Sequence, residues 1–224
     1  MKTNAPCIPK FSALLPTHVP FSSEEGQKLF LEASHKNSFF ILAPNFEAQK
    51  HPTVCGISAA VIAINTLEPN TRLTQDFILE NHAAKIRPVE SILGEVPGVE
   101  AGLKLFELRD MINSLGLNAK AEIFSPKESP SLEKFREDLK EVFDSGDSIA
   151  ILNFDYKEIL GTGPGHFSPA AAYHTASDRV LILDVARHKN VWFWIELKSL
   201  YRALQTKDGD TFRGYLRVSS KEHA

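Results

Sequence analysis

Cys55 ends an irregular, proline-containing stretch, Gln49-Lys50-His51-Pro52-Thr53-Val54-Cys55, and is followed by the small apolar run Gly56-Ile57-Ser58-Ala59-Ala60. The pattern predicts a loop that stops at a cysteine where a helix begins. A thiol there meets the positive end of the helix dipole and unpaired backbone N–H groups, which favour its thiolate. Gln49, six residues upstream, carries a side-chain amide that could reach back over the same spot. A nucleophile and an oxyanion donor on one short segment suit acyl transfer. Such a thiol needs a base.

Of the eight histidines, His166 stands apart by its setting, Gly161-Thr162-Gly163-Pro164-Gly165-His166-Phe167. Three glycines and a proline imply close backbone approach to something, a tight turn, or both. Asp184 is the second unusual position, a carboxylate near the end of the apolar run Val180-Leu181-Ile182-Leu183-Asp184-Val185-Ala186. Buried, it needs a partner, since desolvation alone would protonate it; the bland alternative is a turn aspartate satisfied by backbone N–H groups. The strands holding the two residues are joined by the polar turn His174-Thr175-Ala176-Ser177-Asp178, so they read as hairpin partners. A three-residue turn sets Ser168 opposite Asp184, with His166 diagonal to it on the same face. A two- or four-residue turn puts them on opposite faces. A functional Cys55–His166–Asp184 set therefore requires an odd-membered turn or a bulge.

The rest of the chain must hold these groups. With 224 residues, 43% hydrophobic and 24% charged, it suits one sizeable globular domain or two tightly joined lobes. A net charge of -3 gives no electrostatic case for nucleic acid or an anionic membrane. Two cysteines, Cys7 and Cys55, argue for a reducing compartment and against a thiolate zinc cluster. No signal-like or membrane-spanning run is present, so the expectation is a cytoplasmic protein.

Pro6 to Pro20 reads as an extended arm, and residues 1–20 form that unit. Ser22 with Glu25 reads as a capping box for a helix over Gly26 to Ser34, and Phe39 to Leu42 as a strand or turn. A buried helix runs from Cys55 to about Leu67, one follows Thr74 to about Ala84, and another spans Ala101 to Leu115. Pro88 to Gly102 is a cleft-type loop, Asn118 to Phe124 a short strand, and Ser131 caps a helix to about Phe143. From Ser148 the character changes. Residues 149–154, 166–174, 179–185, 191–195 and 212–218 read as strands, interrupted by a helix over Leu197 to Leu204. The sum is an α+β fold: a mainly helical lobe over about 21–147, then a mainly antiparallel β lobe over about 148–219, with a cleft between. A Cys-to-His separation of 111 residues is of the order of the ~130–150 of papain-like enzymes.

At these residues the chain resembles the phytochelatin synthase family, specifically its papain-like N-terminal catalytic domain. The resemblance rests on Gln49 to Gly56, Gly163 to Tyr173, Leu181 to Arg187, Leu197 to Leu200 and Arg213 to Tyr215, and it extends from about Leu14 to Ser219. It implies that Cys55 attacks the Cys–Gly bond of glutathione and that His166 is the base, with Asp184 its partner and Gln49 in the oxyanion hole. A γ-glutamylcysteinyl thioester then passes to water or to a second glutathione. Gly165, Arg187, Asp208 and Arg213 fall where the family binds substrate. The family's plant members add a Cys-rich C-terminal extension and further cysteines. In this chain the resemblance implies no tightly bound cofactor, with Cd²⁺ or Zn²⁺ acting through metal–glutathione thiolates. It resembles the short bacterial branch, in which hydrolysis can outweigh transfer, and is compatible with a homodimer. It departs from the family pattern at His51, where an acidic residue often stands, and at Val54 and Asn190, which replace aromatics.

Two other readings compete. The residues alone equally suit a papain-like peptidase or amidase acting on another substrate. A non-enzymatic metal or thiol buffer would show dense Cys/His spacing, which the sequence lacks.

Overall fold

The computed structural model describes residues 18–221; most of the expected N-terminal arm lies outside them. The elements run β1 (His18–Pro20), α1 (Glu24–Glu32), α2 (Asn37–Leu42), α3 (Cys55–Leu67), α4 (Gln75–Asn81), α5 (Val89–Leu93), α6 (Leu105–Ser114), β2 (Asn118–Ile123), α7 (Leu132–Ser145), β3 (Ser148–Asp155), α8 (Tyr156–Leu160), β4 (Gly165–His174), β5 (Arg179–Ile182), β6 (Phe193–Glu196), α9 (Leu197–Leu204), β7 (Lys207–Asp208), β8 (Thr211–Phe212) and β9 (Gly214–Ser219). This is the expected α+β class with an antiparallel sheet. The sheet order is β1-β6-β5-β4-β3-β9-β2, and β7-β8 form a separate hairpin. Among the described residues, the portion before residue 148 supplies only the two edge strands.

Both faces of the sheet are covered, which is why β3 reads as a continuous apolar run. Ile149 and Ile151 join a core with α3 and α6, whereas Ala150, Leu152 and Phe154 face α7 and α9. The alternation of side chains along a strand divides them between the two layers. α3, the helix that starts at Cys55, is buried over its first ten residues, Cys55 to Ile64. Its small side chains let it lie close on the sheet.

Several boundaries differ from the sequence reading. Ser23, not Ser22, caps α1; its side chain accepts the Gly26 N–H. Phe39 to Leu42 is helical within α2, because Ser38 and Leu42 turn inward while Phe39 joins the rings of Phe21 and Phe30. Four apolar residues are too few to show a period of 3.6. The Pro88 to Gly102 loop holds the short helix α5, and α8 falls where no element was expected.

The hairpin decides the site. His174 pairs with Arg179, and Tyr173 with Val180, so the connection is a four-residue turn closed by Asp178 at φ 50°. That even-membered turn alone would send His166 and Asp184 to opposite faces. A β-bulge between Ala170 and Ala172 restores the alignment by shifting the register one residue. Its signature is that Ala171 and Ala172, though consecutive, both enter the α3-side core. Beyond the bulge Ala170 faces Ile182, and Leu183 donates its N–H to Pro169 O at 2.9 Å. Continued two residues, this register sets Ser168 opposite Asp184.

Candidate active site

The residues singled out by chemistry converge. Cys55 opens α3 behind Val54, whose side chain cannot cap the helix, so no side-chain acceptor occupies the first-turn N–H groups. The His166 imidazole and the Gly56 and Phe167 N–H groups lie where they favour the Cys55 thiolate. Burial pushes the thiol up, but the His166 charge, the His166 hydrogen bond and the two N–H groups together carry it below its ordinary value.

His166 lies at the start of β4, 4% exposed. Its Nε2 reaches Asp184 Oδ1 at 3.0 Å and Ser168 Oγ at 2.9 Å, which leaves Nδ1 for the thiol. Burial pushes the imidazolium pKa down, yet the Asp184 and Cys55 charges prevail and raise it to about 9. Cysteine lowered and histidine raised are shifts of one sense: each favours its charged form, thiolate beside imidazolium.

Asp184 is fully buried in the turn after β5. Oδ1 accepts from the Ala186 N–H at 2.8 Å, and Oδ2 accepts from Tyr156 OH at 2.6 Å and Asn190 Nδ2 at 3.2 Å. Burial pushes the carboxyl up; His166, Tyr156 and the Ala186 N–H hold it below its usual value. The bland reading of a turn aspartate was half right. A backbone N–H does satisfy one oxygen, and the histidine shares it. Ser168 completes the shell by accepting the Val185 N–H at 3.2 Å.

Gln49, 8% exposed, is tied to the same turn through its N–H to Val185 O at 2.9 Å. Its Nε2 donates to His51 O at 2.8 Å, which fixes the amide and leaves its second N–H unspent. His51 itself turns to Thr53 Oγ1, at 2.9 Å from Nδ1.

A cavity of about 190 Å³ opens beside Cys55, between Pro52, Thr53 and the 100–103 segment on the helical side and Asn153, Gly165, Asp208 and Arg213 on the sheet side. The cleft thus lies where the two portions of the chain meet. Arg213, 6% exposed, donates from Nη1 to Asn153 Oδ1 at 2.9 Å and from Nε to Thr206 Oγ1 at 3.1 Å, and its Nη1 forms an ion pair with Asp208 Oδ1 at 3.2 Å. Asn153 Nδ2 donates to Asp208 Oδ2 at 3.2 Å. The Nη2 arm is used by none of these bonds.

The structure also answers what the glycines approach. A Cβ on Gly165 would stand 2.1 Å from Arg213 Nη1, and one on Gly163, at φ 109°, would stand 3.1 Å from Tyr156 Cβ. Arg187 is not brought to this cleft. It lies over the Trp192 ring, 5.8 Å from its centroid, and donates to Asn190 O. The resemblance implies a substrate-binding Arg187; the turn that carries Asp184 inward directs it instead to a small pocket with Phe21, Ser22 and Val191, apart from the Cys55 cavity.

Sequence reasoning missed Tyr156, Asn153 and the Asn190–Asp184 bond. Asn153 carried a signal, a carboxamide in an otherwise apolar strand; Tyr156 carried none, because its ring acts across a turn. Among the described residues no group of three or more His, Cys, Asp or Glu side chains could hold a metal ion, and no helix is long and apolar enough to cross a membrane.

A family model described as phytochelatin synthase matches residues 10–215. A Lotus japonicus glutathione gamma-glutamylcysteinyltransferase 3 is 31% identical over 93% of this chain and 44% of its own length. An Arabidopsis thaliana glutathione gamma-glutamylcysteinyltransferase 2 is 29% identical over 92% of this chain and 46% of its own. The chain therefore spans less than half the length of the curated relatives it matches. A solved double glycine motif protease from an AMS/PCAT transporter, in complex with the leader peptide, aligns with 78% of this chain and 89% of its own at a TM-score of 0.44 and 12% identity.

Proposed function

The chain belongs to the phytochelatin synthase family, and from that premise we propose that it is a glutathione-directed acyltransferase and peptidase working through a Cys55 thioester. The Cys55 thiolate attacks the carbonyl carbon of the Cys–Gly peptide bond, and the developing oxyanion meets first-turn N–H groups of α3 and the free N–H of Gln49. His166 gives its proton to the glycine nitrogen, the C–N bond breaks, and glycine leaves. The γ-glutamylcysteinyl thioester is then attacked by the α-amino group of a second glutathione or by water, either of which loses its proton to His166. The Cys55 thiolate returns in both cases.

The observation that carries this reading is the far end of the cleft. A buried guanidinium whose Nη2 takes no bond among the described residues, backed by Asp208 and Asn153, suits the α-carboxylate of a γ-glutamyl head group. Gly165 belongs to the same subsite by making room for Arg213. Gly165→Ala should displace the guanidinium and raise KM for glutathione by ~10-fold or more, while the rate of Cys55 alkylation by iodoacetamide stays at the wild-type value. We assign Cd²⁺ and Zn²⁺ to the substrate side, as glutathione thiolate complexes, and the cytoplasm, with its reduced glutathione, as the compartment. The assembly proposed is a homodimer.

The test offers glutathione, S-methylglutathione and an unrelated dipeptide, with and without Cd²⁺ or Zn²⁺, and identifies the products. Glycine release from the first two is expected, with γ-glutamylcysteine and longer oligomers as companions. Turnover of the dipeptide with neither glutathione consumed would replace this reading by that of a general peptidase or amidase.

A further inference from the structure

We propose that Tyr156 is a positioning residue for the active site, its ring face holding the His166 imidazolium flat and charged against the Cys55 thiolate. The two rings are stacked, with centroids 4.3 Å apart and planes 20° apart. Tyr156 is 4% exposed and its hydroxyl donates to Asp184 Oδ2 at 2.6 Å, so one side chain touches both the base and the base's partner. Phe154 stands edge-on to both rings, at 5.5 Å from Tyr156 and 5.6 Å from His166.

The chain is arranged to hold that ring. Tyr156 opens α8, where Asp155 caps the helix by accepting the Lys157 N–H at 2.8 Å. The Tyr156 N–H donates to Pro164 O at 3.2 Å, and Gly163 adopts φ 109° against the tyrosine side chain, where a Cβ would crowd it. The Gly-Thr-Gly-Pro-Gly stretch is thus a sleeve around Tyr156 as well as an approach to His166. An aromatic face carries negative potential and favours a cation laid on it over a neutral ring. The stack therefore stabilises the protonated imidazole selectively and fixes the plane in which Nδ1 meets the sulfur.

The titratable groups facing His166 are Cys55 from α3, Asp184 and, further out, His188 from the turn after β5, and Tyr156 from α8. Substituting Tyr156 leaves the other three in place. The inference rests on the Cys55–His166 pair, not on which substrate the thiol attacks, so it is tested without glutathione. Inactivation by iodoacetate is followed from about pH 5 to about pH 11; the anion needs both thiolate and imidazolium, so the profile is bell-shaped and its alkaline limb reports the loss of the His166 proton. Tyr156→Leu should lower that limb by about one pH unit, and Tyr156→Phe, which keeps the ring, should return it close to wild type. Where the leucine variant fails to fold, Tyr156→Met, close to tyrosine in reach but without a π-face, carries the same comparison. An unmoved limb with a slower rate would reduce Tyr156 to a packing residue and overturn the proposal. So would a phenylalanine variant shifted as far as leucine, or a wild-type profile with no bell.

Discussion

Replacing Cys55 by alanine should lower glycine release from glutathione by ~10⁴-fold or more, since a nucleophile that acts with its base as a unit takes nearly the whole chemical advantage with it. Serine should do scarcely better. The site lowers a thiol pKa by pairing it with an imidazolium and two N–H donors, but a hydroxyl starts too high for that help to yield an alkoxide. Binding should survive, because Arg213, Asp208 and Asn153 hold one another without the sulfur. The alanine variant should therefore still be stabilised by glutathione in thermal unfolding, with an amplitude like that of wild type. Loss of that shift together with activity would place Cys55 in binding; glycine release at the wild-type rate would remove it from the chemistry.

What the sequence made legible, and what it hid, follows from the range over which each cause acts. The Cys55 helix start, the Asn118 strand and the Leu197 helix come from local composition and lie where expected. The hairpin shows the limit. Its turn chemistry allowed several lengths, and a side-chain alternation of two makes every length a statement about faces. The structure uses a four-residue turn and corrects it with a bulge in the small-residue run Ser168 to Ala172. Alanines tolerate a bulge without steric signature, so nothing in the string Ala170-Ala171-Ala172 announces it. Only the demand that His166 and Asp184 share a face pointed there.

Arg187 and Tyr156 show one limit from opposite sides. Arg187, a substrate contact by resemblance alone, sits three residues beyond Asp184, yet the turn points it at Trp192. Tyr156 is ten residues before His166 and lands on its ring, because α8 and the glycine sleeve fold back on themselves. Distance along the chain predicts neither. Gly163 and Gly165 did signal close approach, but a glycine says only that something comes near; that the visitors are a tyrosine and an arginine needs the fold.

Asp184→Ala should be the most damaging change that leaves the nucleophile and base in place. Removing one member of a buried, hydrogen-bonded charge pair costs about 3–5 kcal/mol of stability, and loss of the orienting carboxylate should reduce turnover by ~10⁴-fold. The pH dependence has a definite sign. The Asp184 carboxyl is held below its ordinary 3.8, so its share of the stability is present above that value and disappears as pH falls through the lower folded value. His166 is raised from 6.5 to about 9, so its share is complete below 6.5 and fades as pH rises through about 9. The pair thus stabilises most between 3.8 and 6.5. Guanidinium unfolding of wild type and Asp184→Ala should differ most in that window, and the difference should shrink, without vanishing, as pH rises through about 9. In the variant, burial acts on His166 without its counter-charge and pushes the imidazole towards the neutral form at pH 7, so iodoacetate inactivation should collapse along with turnover. Asp184→Asn keeps the volume but sets a second amide where Tyr156 OH and Asn190 Nδ2 both donate; it should lose stability too, which separates the charge and acceptor roles of Asp184 from its packing. A stability difference that stays flat from pH 5 to pH 9 would mean the Asp184–His166 pair is held neutral, and any thiolate would then depend on the Gly56 and Phe167 N–H groups alone.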